Sequence, residues 1–381
     1  MKGIKYIGSV WDRSGYAEAA RNYILALHKV GIPVKVEPVS FESNPPPLED
    51  SKTSNTLELL INNNIEYDIV IVHTTPDILV KYIEENPGKY IINMTVWETS
   101  KIHPHWVAAC NRAHEVWLPC QFNVDAFRRS GVVVPITKVI HGISKDHFDN
   151  FNYYDFQIPG LDKNNRYVFY SIFQWHYRKN PIGLVKAYFH AFKNSEPVAL
   201  VIKTYLGNNS SKEEELALFN SQINNLKAEM RLSSYPDIFI LNNNMSSNDM
   251  ANLYQYGDCY VLIHRGEGFG LTSAFAGLAG KPVISTDGTG NTEYMTQENS
   301  YLVSYIWRKV TSMESFNQWY QSNQVWTEPS IRDTATKMYH VYLNKEEAKQ
   351  KGELLKQHLQ NNFDLSVVGE IMAKRLREIP I

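Results

Sequence analysis

The sequence predicts an α/β protein built from two doubly wound parallel-sheet domains in tandem, and three observations carry that prediction. Short apolar strands alternate with helical stretches along most of the chain, the signature of βαβ units. That rhythm breaks at residues 144–166, which gather Asp, Asn, Pro and Gly, and then restarts. The 381 residues also exceed one ordinary domain and suit two. The expected division is 1–150 and 151–360, with a final helix over 361–381 packing back towards the first domain. In such sheets ligands bind beyond the carboxyl ends of the strands, so the two domains are expected to face a central cleft.

The elements follow in order. KGIKYIGS (2–9) reads as a strand, Tyr16–Lys29 as a helix stopped by Gly31, and PVKVEPV (33–39) as the next strand. ESNPPPLEDSKT (42–53) is a proline-rich loop. Strands are expected at 68–73, 90–96, 115–119 and 137–143, with helices over 104–112 and 121–130. After the break come strands at 167–173, 198–206, 237–241, 259–263 and 282–286. Helices separate them at 181–192, 212–231, 247–255 and after Gly270, and 330–378 is mostly helical.

Composition excludes several classes. The formal net charge of -2 gives no global basic signature for nucleic acid. Arg128-Arg129 could meet phosphates locally, though a solvated helix end is the commoner reading. The N-terminus lacks a signal-peptide core, and no apolar run is long enough to span a membrane. Cys110, Cys120 and Cys259 are an odd number set in apolar surroundings, which favours buried thiols in a cytoplasmic protein over disulfides. His103-Pro-His105 is weak evidence for a metal, since no third ligand is near.

The strongest chemical signal is HRGEGFGLTSAFAGLAGKPVIS (264–285). Gly266, Gly268 and Gly270 permit backbone shapes closed to other residues and let a ligand approach the main chain. The amides opening the next helix, with its positive dipole end, suit a diphosphate. Glu267 in that loop would be repelled by phosphate unless it serves a sugar hydroxyl; a tight turn with a merely solvated Glu267 is the alternative. DGTGNTE (287–293) repeats the logic, with Glu293 as helix cap or ligand. SIFQWHYRKNP (171–181) brings Arg178 and Lys179 to a strand end, and Lys203 stands at another. In the first domain, Asp12, Arg13 and Ser14 follow the first strand, where polar groups suit acceptor hydroxyls. That turn lacks GxGxxG. His73 and Glu98 follow later strands; His73 reads equally well as a core histidine.

EGFGLTSAFAGLAGKPVIST resembles the retaining nucleotide-sugar glycosyltransferases of the GT-B fold, in particular the large family 4. The resemblance extends through FQWHYRKNPIGLVKAY and WETSKIHPHW…VIHGIS, nearly the whole chain. It implies two Rossmann-like domains, the first for acceptor and the second for donor, and no cofactor. Arg178 and Lys179 would hold the donor diphosphate without metal, and Glu267 would bond the donor sugar. Glu98 would stand near the reacting sugar. Gly15, Lys203, Arg265, Gly268, Phe269, Gly270, Leu271, Phe275 and Glu293 would complete the donor site, with Asp12, Ser14 and His73 on the acceptor side. The implied donor is a UDP- or GDP-sugar, and the acceptor a glycan, lipid carrier or protein; peripheral membrane contact and homo-oligomerisation stay open. Two positions depart from the family: Phe173 stands where an arginine is common, and Phe275 where a second Glu accepts the ribose hydroxyls. Those departures support an alternative, a binding subunit that serves a partner enzyme without doing chemistry.

Overall fold

The computed structural model describes residues 2–41, 47–149, 151–207, 210–311 and 317–380. The chain divides into two compact units, residues 1–147 with 359–381, and residues 148–358.

Unit 1 alternates strand and helix: β1 (Ile4–Ser9), α1 (Gly15–Lys29), β2 (Val34–Val39), α2 (Ser51–Ile61), β3 (Ile69–His73), α3 (Leu79–Glu85), β4 (Tyr90–Met94), α4 (Pro104–Cys110), β5 (Glu115–Leu118), α5 (Gln121–Ser130) and β6 (Ile136–Lys138). Its strands pair in parallel in the order β2-β1-β3-β4-β5-β6. β3 is buried at every position, as a parallel strand covered on both faces must be.

Unit 2 opens with β7 (Tyr167–Gln174), α6 (Pro181–Ala191), β8 (Val198–Tyr205), α7 (Lys212–Met230), β9 (Ile238–Leu241), α8 (Ser247–Tyr256), β10 (Cys259–Leu262), α9 (Leu271–Leu278), β11 (Val283–Thr286) and β12 (Tyr301–Val303). A hairpin of β13 (Tyr305–Lys309) and β14 (Val325–Pro329) follows, then α10 (Ile331–Leu343) and α11 (Lys345–Asn362), within which the unit boundary falls. Its parallel sheet runs β12-β11-β10-β7-β8-β9. Capping boxes start α7 (Ser211 with Glu214) and α8 (Ser246 with Asp249).

The last helix, α12 (Leu365–Arg377), belongs to unit 1 and lies on α1. A Cβ at Gly369 would stand 2.4 Å from the carbonyl oxygen of Ala26, so only glycine permits that approach. Arg375 anchors the helix to β5: its guanidinium donates at 2.9 Å to each carboxylate oxygen of the fully buried Glu115.

Three expectations change. The loop expected over 42–53 gives way to α2 at Ser51, capped by Asp50, while residues 42–46 lie outside the described residues. The strand expected over 137–143 shrinks to Ile136–Lys138. Beyond it the chain leaves the ladder; Gly142 packs under Leu365 and Ile143 donates to the Phe363 carbonyl at 2.8 Å. The β13–β14 hairpin was not expected at all. Its short strands expose Ile306 and Trp307, so no clean apolar alternation marks them. Cys110, Cys120 and Cys259 are buried thiols. Among the described residues no helix is long and apolar enough to cross a membrane.

Candidate functional site

In each sheet the first strand lies inside, so the chain winds outward in two directions and leaves a switch point where the loops part. In unit 1 that point lies between β1 and β3; in unit 2 it lies between β7 and β10. The loops after β7 and β10 carry Arg178-Lys179 and His264–Gly270, and the structure brings them together.

Lys179 Nζ makes an ion pair with Glu267 Oε1, and Arg178 Nη1 stands 3.9 Å from the same oxygen. Arg178 also donates to the Gly266 carbonyl at 2.5 Å. Glu267 is only 6% exposed. Burial pushes its carboxyl up, but Lys179 first and Arg178 second outweigh that and hold it down at about 2. The sheet is responsible for this meeting: β7 and β10 are hydrogen-bonded neighbours, so residues 88 positions apart leave adjacent strand ends. Asn180, just after the cation pair, adopts a left-handed conformation (φ 60°) and donates to the Ile263 carbonyl at 3.1 Å. Pro181 then opens α6.

Gly270 takes φ 88° and leads into α9, whose first residue is the half-buried Leu271. The ring of Phe269 packs 5.0 Å from that of Tyr294, whose hydroxyl donates to the Gly270 carbonyl at 2.7 Å. The DGTGNTE loop is stitched to this turn: Gly290 N donates to the Glu267 carbonyl at 2.9 Å, and Glu267 N donates to Thr289 Oγ1 at 3.0 Å. Its glycines allow this close packing. A Cβ at Gly290 would sit 2.0 Å from the Gly268 carbonyl oxygen, and one at Gly288 would meet Thr327 and Tyr305 at about the same distance as a clash, 2.9–3.0 Å. Glu293 ends a short 3-10 turn and is half-buried.

Several expected site residues have other work. Arg265 is turned to Glu328 in a bidentate pair (2.8 and 2.9 Å) and donates to the Tyr177 carbonyl at 2.6 Å. Lys203 faces Lys212 and Glu215; burial first, then Lys212, lowers its ammonium to about 8. Phe275 is buried and packs its ring 6.2 Å from Tyr254, and Phe173 is buried beside Trp175. Both aromatic departures thus fill core.

At the unit 1 switch point Asp12 is fully buried and binds Ser9 Oγ (2.6 Å), Ser40 Oγ (2.5 Å) and Phe41 N (2.8 Å), which staples the loop. Ser14 caps α1 by accepting from Ala17 N, and Gly15 is the exposed first residue of that helix. His73 is buried among Tyr6, Tyr16 and Tyr23 and bonds the Tyr6 hydroxyl at 2.7 Å; burial holds its imidazole neutral, at about 3. It is a core histidine. Glu98 follows β4, half-buried, near enough to Tyr16 to raise that phenol after burial has done so. His103 is the cap of α4, accepting from His105 N at 3.1 Å. Among the described residues no three His, Cys, Asp or Glu side chains gather as metal ligands.

Sequence reasoning missed His264 and the partners of Arg265. His264 is fully buried; burial lowers its pKa to about 4, Glu267 pulls it up, and Lys179 and Arg178 push it down. Its position three residues before Glu267 was a usable signal. Glu328 was not legible, since it lies 63 residues from its partner and outside any motif.

Residues 155–316 match the family model described as glycosyl transferases group 1. No curated protein matches the chain. Among solved structures, HepE of Anabaena in complex with UDP and glucose is similar at 14% identity, with all of both chains covered and a TM-score of 0.64. Sucrose-phosphate synthase of Thermosynechococcus elongatus is similar at 12% identity, with 99% of each chain covered and a TM-score of 0.68. The trehalose-6-phosphate synthase OtsA is similar at 10% identity, with 99% of each chain covered and a TM-score of 0.66. With two doubly wound parallel sheets and these neighbours, the protein has the GT-B fold of glycosyltransferases.

Proposed function

We propose that the protein is a retaining glycosyltransferase that moves a sugar from a nucleoside-diphosphate sugar to a glycan, lipid-linked or protein acceptor. One observation carries the reading: two cations and a buried carboxylate meet at the unit 2 switch point beside the amides that open α9. Fold and family match support it. In this reading unit 1 takes the acceptor and unit 2 the donor.

In this reading Arg178 and Lys179 take up the charge that develops on the departing diphosphate, the electrostatic task that metals perform in other transferases. Glu267 is ionised throughout the physiological range, so it acts as a hydrogen-bond acceptor and holds the donor sugar through its hydroxyls. Lys179 shares that carboxylate in the ligand-free protein and turns to the diphosphate when donor binds. The acceptor's proton passes to the departing phosphate, and the new linkage keeps the donor's α configuration. UDP is the first nucleotide to test, since HepE is seen with UDP; GDP is the second.

A second reading, a binding subunit without chemistry, draws on Phe275, which puts a buried ring where a ribose-binding carboxylate was expected. One experiment separates the two: thermal shift with a panel of nucleoside diphosphates, followed by donor-sugar hydrolysis and transfer assays. Millimolar UDP or GDP is expected to raise the midpoint by several degrees. A protein that responds to no nucleotide, and turns over no nucleotide sugar, leaves the binding-subunit reading standing.

A further inference from the structure

We propose that Glu328 is a positioning residue: through Arg265 it fixes the turn that carries Arg178 and Lys179 against the loop that carries Glu267. The inference rests on the donor-site reading above, and it involves a hairpin residue beyond the matched segment 155–316.

Three stretches of chain meet here. Arg265 N donates to the Arg178 carbonyl at 2.7 Å, and Thr327 N donates to the Arg265 carbonyl at 2.8 Å. Side chains repeat the same connections. The Arg265 guanidinium lies 3.7 Å from the centre of the Tyr177 ring, donates to the Tyr177 carbonyl, and grips both oxygens of Glu328. Arg308, on β13, donates to Glu328 at 3.0 Å and to the Tyr177 hydroxyl. Tyr177, immediately before the cation pair, is thereby held at its ring, its hydroxyl and its carbonyl.

Charge explains why a carboxylate is needed. The Arg265 side chain is 9% exposed, and a guanidinium so buried requires a counter-charge. The other carboxylate on its own loop is Glu267, already paired with Lys179. Glu328 gives Arg265 a partner of its own, so Arg265 does not compete for Glu267. A hairpin anchor alone would need one ion pair; this network instead sends three contacts into the residue before Arg178.

The test compares full-length parent, E328Q, E328D, R265Q and R265Q/E328Q. Ligand-free hydrogen exchange by mass spectrometry reads the turn directly. In E328Q, peptides covering 176–181 and 263–268 are expected to exchange about tenfold faster while β8 is unchanged. Calorimetry with UDP, or with GDP where UDP does not bind, is expected to show about tenfold weaker binding in E328Q. R265Q/E328Q should bind no more weakly than E328Q, because both changes break one bridge. E328D keeps the charge and should recover part of the affinity. Unchanged exchange at 176–181 in E328Q overturns the proposal whatever the nucleotides do. So does faster exchange there with parental nucleotide affinity. A parent that binds neither nucleotide sinks the functional reading instead, and the exchange arm alone then decides whether Glu328 positions the turn.

Discussion

Two carboxylates stand past the ends of parallel strands at matching switch points, Asp12 after β1 and Glu267 after β10. Both are buried, and their partners differ. Asp12 is satisfied by two hydroxyls and an amide of its own unit, bonds that close a loop. Glu267 is satisfied by two side-chain cations from another strand end. Neutral donors at hydrogen-bond distance make a finished structural joint. Cations around a carboxylate leave charge that the proposed donor phosphate would recruit, which neutral donors do not. Location at a switch point is common to both; the chemistry of the partners separates the two sites.

The largest expected effect falls on Glu267. Glu267→Gln should lower sugar transfer on the order of a hundredfold, about 3 kcal/mol, measured as kcat/KM with the donor that the nucleotide panel identifies. Parental rates would break the contrast with Asp12. Asp12→Asn should cost about 2–3 kcal/mol of stability, read as a urea midpoint, because an amide replaces an acceptor of charge-assisted hydrogen bonds. Its UDP affinity should stay parental; a loss comparable to that of Glu267→Gln would show that unit 1's carboxylate is also a ligand.

A third expectation concerns acid. His73 and His141 in unit 1 and His264 in unit 2 have folded-state pKa values lowered by burial from 6.5 to about 3, about 3 and about 4. The unfolded chain therefore takes up these protons first as pH falls. Stability is full above 6.5 and is lost between 6.5 and about 3, the urea midpoint falling through that window. Glu267, lowered to about 2 by Lys179 and Arg178 against burial, adds its loss only below 4.5. His73→Gln should flatten the acid limb; an unchanged profile would remove His73 from it. The smallest effect is Phe275→Leu, about 1 kcal/mol of stability with UDP affinity within twofold, since Phe275 packs on Tyr254 in the core. A larger change in nucleotide binding would return Phe275 to the donor site.

The legible parts were those written in local sequence. Strand and helix periodicity, Gly270 before α9, and Pro181 opening α6 each act within a few residues, so they could be read directly. EGFG and RKN marked two loops that the fold brings together, although Lys203 and Arg265 were grouped with them only by position. His73 and Asp12 show the limit: a polar residue at a strand end reads alike whether its partners come from the protein or from a ligand.

By itself, then, the sequence determined the alternation of elements, the break between two units and the two loops that carry Arg178, Lys179 and Glu267. Hydrophobic period, turn residues and caps are local properties, and they suffice for that. Tertiary structure alone decided which side chains are engaged. It gave Glu267 to Lys179, Arg265 to Glu328, Asp12 to Ser9 and Ser40, and Phe275 to the core. Those pairings depend on strand order and burial, which join residues up to 88 positions apart. Desolvation makes each buried charge find a partner, and only the folded sheet determines which partner is within reach.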